Sequence, residues 1–281
     1  MNSSITIRQA QKSDTSSIAD FLSRAACTHR HLDWQGVLDW IPFTPFLMMY
    51  DEYRLQAILT CPPDHQNIAW IRCFACEKKY DLAQTWEVLF NAIQTLPNMA
   101  GTTLYSVGLN DWFASLLERS RFENFQNIVV LQWNEKMPVF KPVDQPWIIR
   151  PMEEVDLDEV AVLDQSAFEP IWVNPPDKVK LAYAQAEHAS VVELDDRIVG
   201  YEMTTANHIS AHLARIAIHP AFQNQHIGSS LIAEMFEYFI HKGISQISVN
   251  TQSTNMASLA LYQRLGFEMT GETFPVFQYQ I

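Results

Sequence analysis

The sequence predicts an α/β fold with a mixed sheet, built as two tandem copies of one unit. Three observations lead there. Strand-like and helix-like patterns alternate along residues 147–281, two internal echoes recur at nearly constant offset, and 281 residues amount to about two ordinary domains.

Residues 5–18 read ITIRQAQKSDTSSI and residues 147–160 read WIIRPMEEVDLDEV. Arg8 stands six positions before Asp14, as Arg150 does before Asp156, and Ile18 or Val160 follows its aspartate by four. Each reads as a strand, a turn and a helix capped near the aspartate. Residues 110–123, NDWFASLLERSRFE, are echoed by 255–268, NMASLALYQRLGFE, pairing Asn110 with Asn255, Leu116 with Leu261 and Phe122 with Phe267. The offsets, 142 and 145, imply two copies of one unit. A boundary is expected in KPVDQP, residues 141–146, which gives domains 1–140 and 146–281.

The second copy justifies its elements in turn. A strand is expected over 147–150, a helix over 154–167, and another over 176–187 after the breaker NPPD. Strands near 189–194 and 198–205 flank the turn DDR, and a further strand covers 210–218. Leu231, Ile232, Met235, Phe236 and Phe239 give 227–241 a helical apolar stripe. A strand over 245–251, a helix over 255–265 and two final strands fill the rest to 281. Hairpins first and a strand-helix-strand crossover later make the sheet mixed.

Composition narrows the function. Lys plus Arg number 19 and Asp plus Glu 32, a net charge of −13. That argues against a nucleic-acid surface or an anionic membrane, and mildly suits a cationic, amine-bearing partner. Hydrophobic residues at 48% and charged residues at 18% are globular values. No apolar run approaches the ~20 residues of a membrane helix. The start MNSSITIRQAQKSD lacks an apolar stretch behind basic residues, so no signal peptide and a cytoplasmic location are expected. Cys73 and Cys76 form a C-x-x-C inside the strand-like IAWIRCFACE, where alternation puts positions three apart on opposite faces. These cysteines, with Cys27 and Cys61, read as structural; a metal or redox site with His29, His31 or His65 is the lesser alternative.

Two segments carry chemistry. In LARIAIHPAFQNQHIGSSLIAEMFEYFI, residues 213–240, a strand ends at His219-Pro220 and a polar loop enters a helix. Free amides and the dipole at a helix start suit a phosphate or pyrophosphate, with Gly228 admitting the anion and Ser229 adding a hydroxyl. The plain alternative is an ordinary connection. In NMASLALYQRLGF, residues 255–267, Asn255 suits an N-cap and Gly266 a C′ glycine, while Ala257, Leu261 and Leu265 form one stripe. Tyr262 lies two turns after Asn255 and on the same side; the plain reading is a half-buried core phenol.

Together the segments resemble the GNAT superfamily of acyl-CoA-dependent N-acyltransferases. The family's loop Q/R-x-x-G-x-G/A reads here Gln223-Asn224-Gln225-His226-Ile227-Gly228, and its later N-x-x-A/S-x-x-L-Y-x-x-x-G-F reads Asn255, Ser258, Leu261, Tyr262, Gly266 and Phe267. The preceding Arg215-Ile216-Ala217-Ile218-His219-Pro220 also looks like the family's strand. The resemblance covers residues 147–281 strongly and 3–135 faintly. One departure is His226 in place of the first loop glycine, where a side chain crowds the pyrophosphate if φ must be positive.

The resemblance implies an acetyl-CoA-dependent N-acetyltransferase, with acetyl-CoA as acyl donor, an amine-bearing acceptor and no metal. Backbone amides from Gln225 through Ser229 would hold the pyrophosphate. The strand Ile216, Ala217 and Ile218 would splay from its neighbour, pair with pantetheine and polarise the thioester carbonyl. Asn255 would bond the pantetheine, and Tyr262 would protonate the departing thiolate. The base stays open among Glu193, Glu202, His212, His219 and a water chain. In the first copy Leu117 stands at the place of Tyr262, Arg121 at Gly266 and Ala83 at Gly228. That copy reads as a degenerate, non-catalytic one that shapes the acceptor cleft; the aromatic-rich residues 34–50 are candidates to line it, with core or inter-domain packing as the plain alternative. A non-catalytic acyl-CoA-binding protein is the alternative, and a monomer or homodimer is expected.

Overall fold

The computed structural model describes residues 5–65, 67–77, 81–133 and 145–281. The expected boundary at 141–146 falls mostly outside them. Two compact units emerge: Met1–Asn127 with Phe274–Ile281, and Ile128–Thr273. They are not the contiguous halves 1–140 and 146–281, because each completes its sheet with a strand segment from beyond its own stretch of chain.

The first unit contains strands β1 (Ile5–Gln9), β2 (Cys27–Arg30), β3 (Phe46–Asp51), β4 (Arg54–Thr60), β5 (Pro63–His65), β6 (Ile68–Trp70), β7 (Cys73–Cys76) and β8 (Thr103–Val107), with β9 (Glu123–Trp133) starting in it. Its helices are α1 (Thr15–Arg24), α2 (Leu82–Gln94) and α3 (Asp111–Arg119). One sheet runs β1-β3-β4-β7-β2. Beside β8 lie β6, parallel, and residues 276–280, antiparallel. Cys73 packs with Phe21, Ile41 and Phe46 on the α1 side, while Cys76 packs with Trp86, Leu89 and Phe113 on the α2 side. The two thiols thus occupy opposite faces, and burial pushes each up to about 12.

The second unit contains β10 (Ile148–Pro151), α4 (Leu157–Ala167), α5 (Pro176–Gln185), β11 (His188–Leu194), β12 (Arg197–Ala206), β13 (Ser210–Ile218), α6 (Ile227–His241), β14 (Gln246–Gln252), α7 (Met256–Arg264) and the start of β15 (Phe267–Gln280). Its strands run β10-β11-β12-β13-β14, then the end of β9; β13 and β14 are parallel and the other pairs antiparallel. α6 and α7 bury Ile232, Phe236, Phe239, Tyr262 and Leu265 against Leu213, Ile247 and Val249. The chain's end is one strand, not two. Gly271 adopts φ +88° inside β15, a backbone conformation that glycine takes without a side-chain penalty, and the strand runs through it.

The echoes are structural. Arg8 forks Asp14 at 2.7 and 2.7 Å, and Arg150 forks Asp156 at 2.7 and 2.9 Å. Each carboxylate also accepts an upstream backbone N–H, from Gln11 or Glu153, at 2.8 Å. The aspartates therefore clamp strand to turn rather than cap the helix with their side chains. Ile18 and Val160 are buried beneath them. Arg121 and Gly266, one residue past the caps of α3 and α7, share positive φ, +64° and +88°.

Candidate active site

The site is built on a parting of two strands. β13 pairs with β14 from Ser210↔Gln246 to Leu213↔Val249 and then leaves it. β14 continues to Gln252, paired with β9, whereas β13, among the described residues, keeps β12 alone. At the parting the β12 register jumps from Thr204↔Leu213 to Met203↔Arg215, so Ala214 is the extra residue of a bulge. Past it, His219 N–H donates to Val199 O at 2.9 Å. Strand alternation then turns the N–H and C=O of Ala217 to β12, where it faces Tyr201, and those of Ile216 and Ile218 to the opening. Gln223 Nε2 reaches Ile218 O at 3.3 Å from that open side. Of the three expected strand contacts, Ile216 turns its backbone to the opening and Ile218 its N–H, beside a carbonyl that accepts from Gln223; Ala217 is committed to β12.

The loop beyond ends at α6. Asn224 and His226 adopt φ +63° and +66°, and both residue types tolerate the left-handed region better than most. The missing loop glycine thus stood at a position with positive φ, and histidine fills it with its side chain exposed. His226 is the N-cap of α6 and makes no side-chain cap bond. The amides of Ile227, Gly228 and Ser229 therefore have no intrahelical acceptor and lie at the positive end of the dipole. Ser230 N–H is used, donating to His226 O at 3.0 Å. Arg264 Nη2 donates to Ser229 Oγ at 3.0 Å and adds a cation there. Gln223, Asn224 and Gln225 are exposed along the loop.

Gly228 serves packing. A Cβ there would lie 3.2 Å from Leu261 Cδ2, so its absence brings α6 against α7. Gly200 does the same beneath the helix start, where a Cβ would meet Ile218 Cδ1 at 2.9 Å and Ile227 Cγ2 at 3.1 Å. The close approach expected for an anion is, in this structure, an approach of helix to helix and helix to strand.

α7 carries the other two expected residues. Asn255 Oδ1 caps the helix by accepting Ser258 N–H at 3.1 Å, which leaves its amide nitrogen for other partners. Tyr262 is 3% exposed and packs on Phe267 at 5.6 Å between centroids. Burial raises the phenol above its ordinary 10, against a smaller opposing bond from Ser258. The proton therefore stays on the oxygen at neutral pH, the state an acid needs.

The four candidate bases separate. Glu193 accepts from Arg150 Nε at 2.8 Å, and His219 Nδ1 accepts Ala221 N–H at 3.2 Å beside the loop. Glu202 is 0% exposed and held by His188 Nδ1 at 2.6 Å and the hydroxyls of Thr204 and Ser190 at 2.6 and 3.3 Å. His188 Nε2 meets Glu234 at 3.1 Å. These three residues bring metal-ligand atoms within 4.8 Å of one another. However, the two carboxylates take opposite ring nitrogens, which describes an imidazolium between two carboxylates rather than a chelate. Burial pulls His188 down, but its bonds to both carboxylates outweigh that and raise it to about 9.

His212 differs. It sits one residue before the parting, on the face opposite Ala211 and Leu213, and its Nδ1 lies 2.9 Å from the hydroxyl of Ser248, its partner across the parallel pair. Burial lowers its pKa from 6.5, so the ring is neutral near pH 7. On that same face Asp164, 0% exposed, binds Arg215 Nε and Nη2 at 2.7 and 2.8 Å, Asn174 N–H at 2.7 Å and the hydroxyl of Tyr201. The sequence reading missed Asp164 and Ser248. The bulge had a readable signal, because inward apolar residues at 211, 213, 216 and 218 break the period of two once.

Residues 157–267 match the model of the Acetyltransferase (GNAT) family. Over 73 residues the chain is 30% identical to a [ribosomal protein bS18]-alanine N-acetyltransferase of Salmonella typhimurium, covering 26% of this chain and 49% of that one. It is 25% identical over 121 residues to the Escherichia coli protein of that name, covering 42% and 79%. A solved tandem GNAT protein from the clavulanic acid biosynthesis pathway superposes with a TM-score of 0.69 at 12% identity, covering 99% of this chain and 98% of that one; this likeness concerns the fold. The chain shares the fold of that protein along its whole length, and residues 157–267 are a GNAT acetyltransferase domain.

Proposed function

We propose that this acetyltransferase domain moves an acetyl group from acetyl-CoA to a primary amine by direct attack in a ternary complex. One observation carries the reading: the open backbone edge of Ile216 and Ile218 runs into the uncapped start of α6. An edge of this kind pairs with an amide-bearing arm such as pantetheine, and the N–H groups of Ile227, Gly228 and Ser229 can donate to a pyrophosphate. The donor contacts are then Ile216, Ile218, the loop from Gln223 to Ser229, and Asn255.

The chemistry follows from positions. α6, α7 and their core fill one face of the parting, so the amine enters from the face of His212. Neutral His212, its Nδ1 fixed by Ser248, takes the amine proton on Nε2. The amine nitrogen bonds to the thioester carbon, and an N–H of the open edge stabilises the oxyanion. The C–S bond then breaks and Tyr262 gives its proton to the thiolate. Positioning supplies most of the rate, on the order of several kcal/mol.

The relatives' name is the guide to the acceptor: the α-amine of a chain beginning with alanine. Incubation with acetyl-CoA and an alanine-initiated peptide tests this by mass spectrometry. Gain of one acetyl group at the N-terminus supports it. Unmodified peptide despite bound acetyl-CoA supports the acyl-CoA-binding alternative instead.

The first unit is, on this reading, a non-catalytic copy. Its β7 edge, the counterpart of Ile216–Ile218, is paired on both sides, by β4 and by β2.

A further inference from the structure

The Asp164–Arg215 pair lies outside the donor contacts, and nothing above gives it a task. Its construction is specific. Arg215 directly follows the bulged Ala214. Without the extra residue, alternation would turn Arg215 to the α6 side, among Ile232, Met235 and Phe236. With it, the guanidinium reaches the other face and forks the fully buried carboxylate of Asp164 on α4. A register slip would therefore strand a cation in an apolar cluster and leave a buried carboxylate unpaired, both strongly unfavourable. The pair fixes the frame in which Ile216 and Ile218 face the opening.

The same guanidinium reaches a second element. Arg215 Nη2 donates to Trp172 O at 2.6 Å, and its plane stacks on Phe168 at 3.6 Å from the ring centroid. Asp164 accepts Asn174 N–H at 2.7 Å. The connection from α4 to α5 is thereby tied to β13 at Phe168, Trp172 and Asn174. It lies on the face of His212, where the amine enters on the reading proposed above.

We propose that Arg215 is a positioning residue that couples the donor edge to the acceptor face, holding the bulge frame of β13 and the 168–174 connection with one side chain. It touches neither substrate in this account, and it acts through the geometry of both. This rests on the acetyl-transfer reading for its kinetic consequence only.

Two variants test it. Arg215→Lys keeps the charge but loses the fork and the stacking plane. Arg215→Met with Asp164→Leu replaces the pair with apolar groups, an exchange that often leaves stability unchanged or raised. Both should weaken acetyl-CoA by no more than about tenfold, through the loosened edge alone because the pyrophosphate seat on α6 is untouched, while kcat for the alanine-initiated peptide falls about 10- to 100-fold. Amide hydrogen exchange should quicken together in 168–174 and 214–218 but not in 227–241. A double variant that is as stable as the parent and keeps its kcat would overturn the proposal, as would exchange that quickens in one segment alone. If the parent does not acetylate the peptide, the acetyl-transfer reading has failed, and the exchange pattern still decides the coupling.

Discussion

The two units answer the same architectural problem differently. In the second, β13 pairs in parallel with β14 for four residues, then parts from it and leaves an edge bare. In the first, β6 pairs in parallel with β8 for three residues, and the chain moves on to β7 in the same way. There the edge is not bare, because β2 runs antiparallel along it, from Cys27↔Cys76 to Arg30↔Cys73. The helix starts differ in the same sense. At α2, Asp81 caps the helix with its own carboxylate, accepting Gln84 N–H at 2.9 Å. At α6, His226 caps nothing. The first unit thus supplies from its own chain both an extended strand for the edge and an anion for the helix start. The second leaves both open, and on the proposed reading acetyl-CoA fills them. A shared fold is no guarantee of a shared site; what decides is whether the backbone groups exposed by the parting are already satisfied.

The largest effect that sharpens this contrast is at Tyr262, whose counterpart is the buried Leu117. Tyr262→Phe should lower kcat by about 10²- to 10⁴-fold with acetyl-CoA affinity unchanged. Leu117→Tyr should create no activity in a Tyr262→Phe background. Calorimetry alongside steady-state kinetics reads both, and rescue by Leu117→Tyr would break the contrast.

His212 comes next, with Trp70 at the corresponding place in β6. If neutral His212 is the base, as proposed, then because burial lowers its pKa the enzyme's own acid limb in kcat/KM should lie below pH 6.5. His212→Gln should lower the rate about 100-fold and remove that acid limb. A pH profile with the limb intact would assign it to another group.

The smallest effect concerns the shared turn after α3 and α7. Arg121 holds φ +64°, where Gly266 holds +88° without a side-chain penalty. Arg121→Gly should stabilise by about 1 kcal/mol in denaturant titration, and Gly266→Arg should cost about as much. Equal and opposite shifts would mark the turns as one motif in two copies.

Much of this was legible in the sequence because it is local. The Arg8–Asp14 and Arg150–Asp156 clamps span six residues each. The helix starts at 227 and 256 fell near their expected places, since apolar periodicity and the residues before each helix mark them. What stayed hidden is long-range. No pattern in CTHR says that it will pair with CFAC, and Asp164 meets Arg215 across 51 positions. The reason for Gly228 was also concealed, because the neighbour that needs its space, Leu261, lies on another helix. The single final strand was missed because a glycine with positive φ reads as a turn when its ladder partners are unknown.

The comparison comes down to how many acyl-CoA molecules one chain holds. Calorimetric titration of acetyl-CoA into the intact protein should give one site per chain. Gly228→Glu should weaken it about 100-fold, because its side chain would meet Leu261 and push the start of α6 off α7, and Ala83→Glu should leave it unchanged. Two sites per chain, or one site lost with Ala83→Glu and kept with Gly228→Glu, would contradict the account.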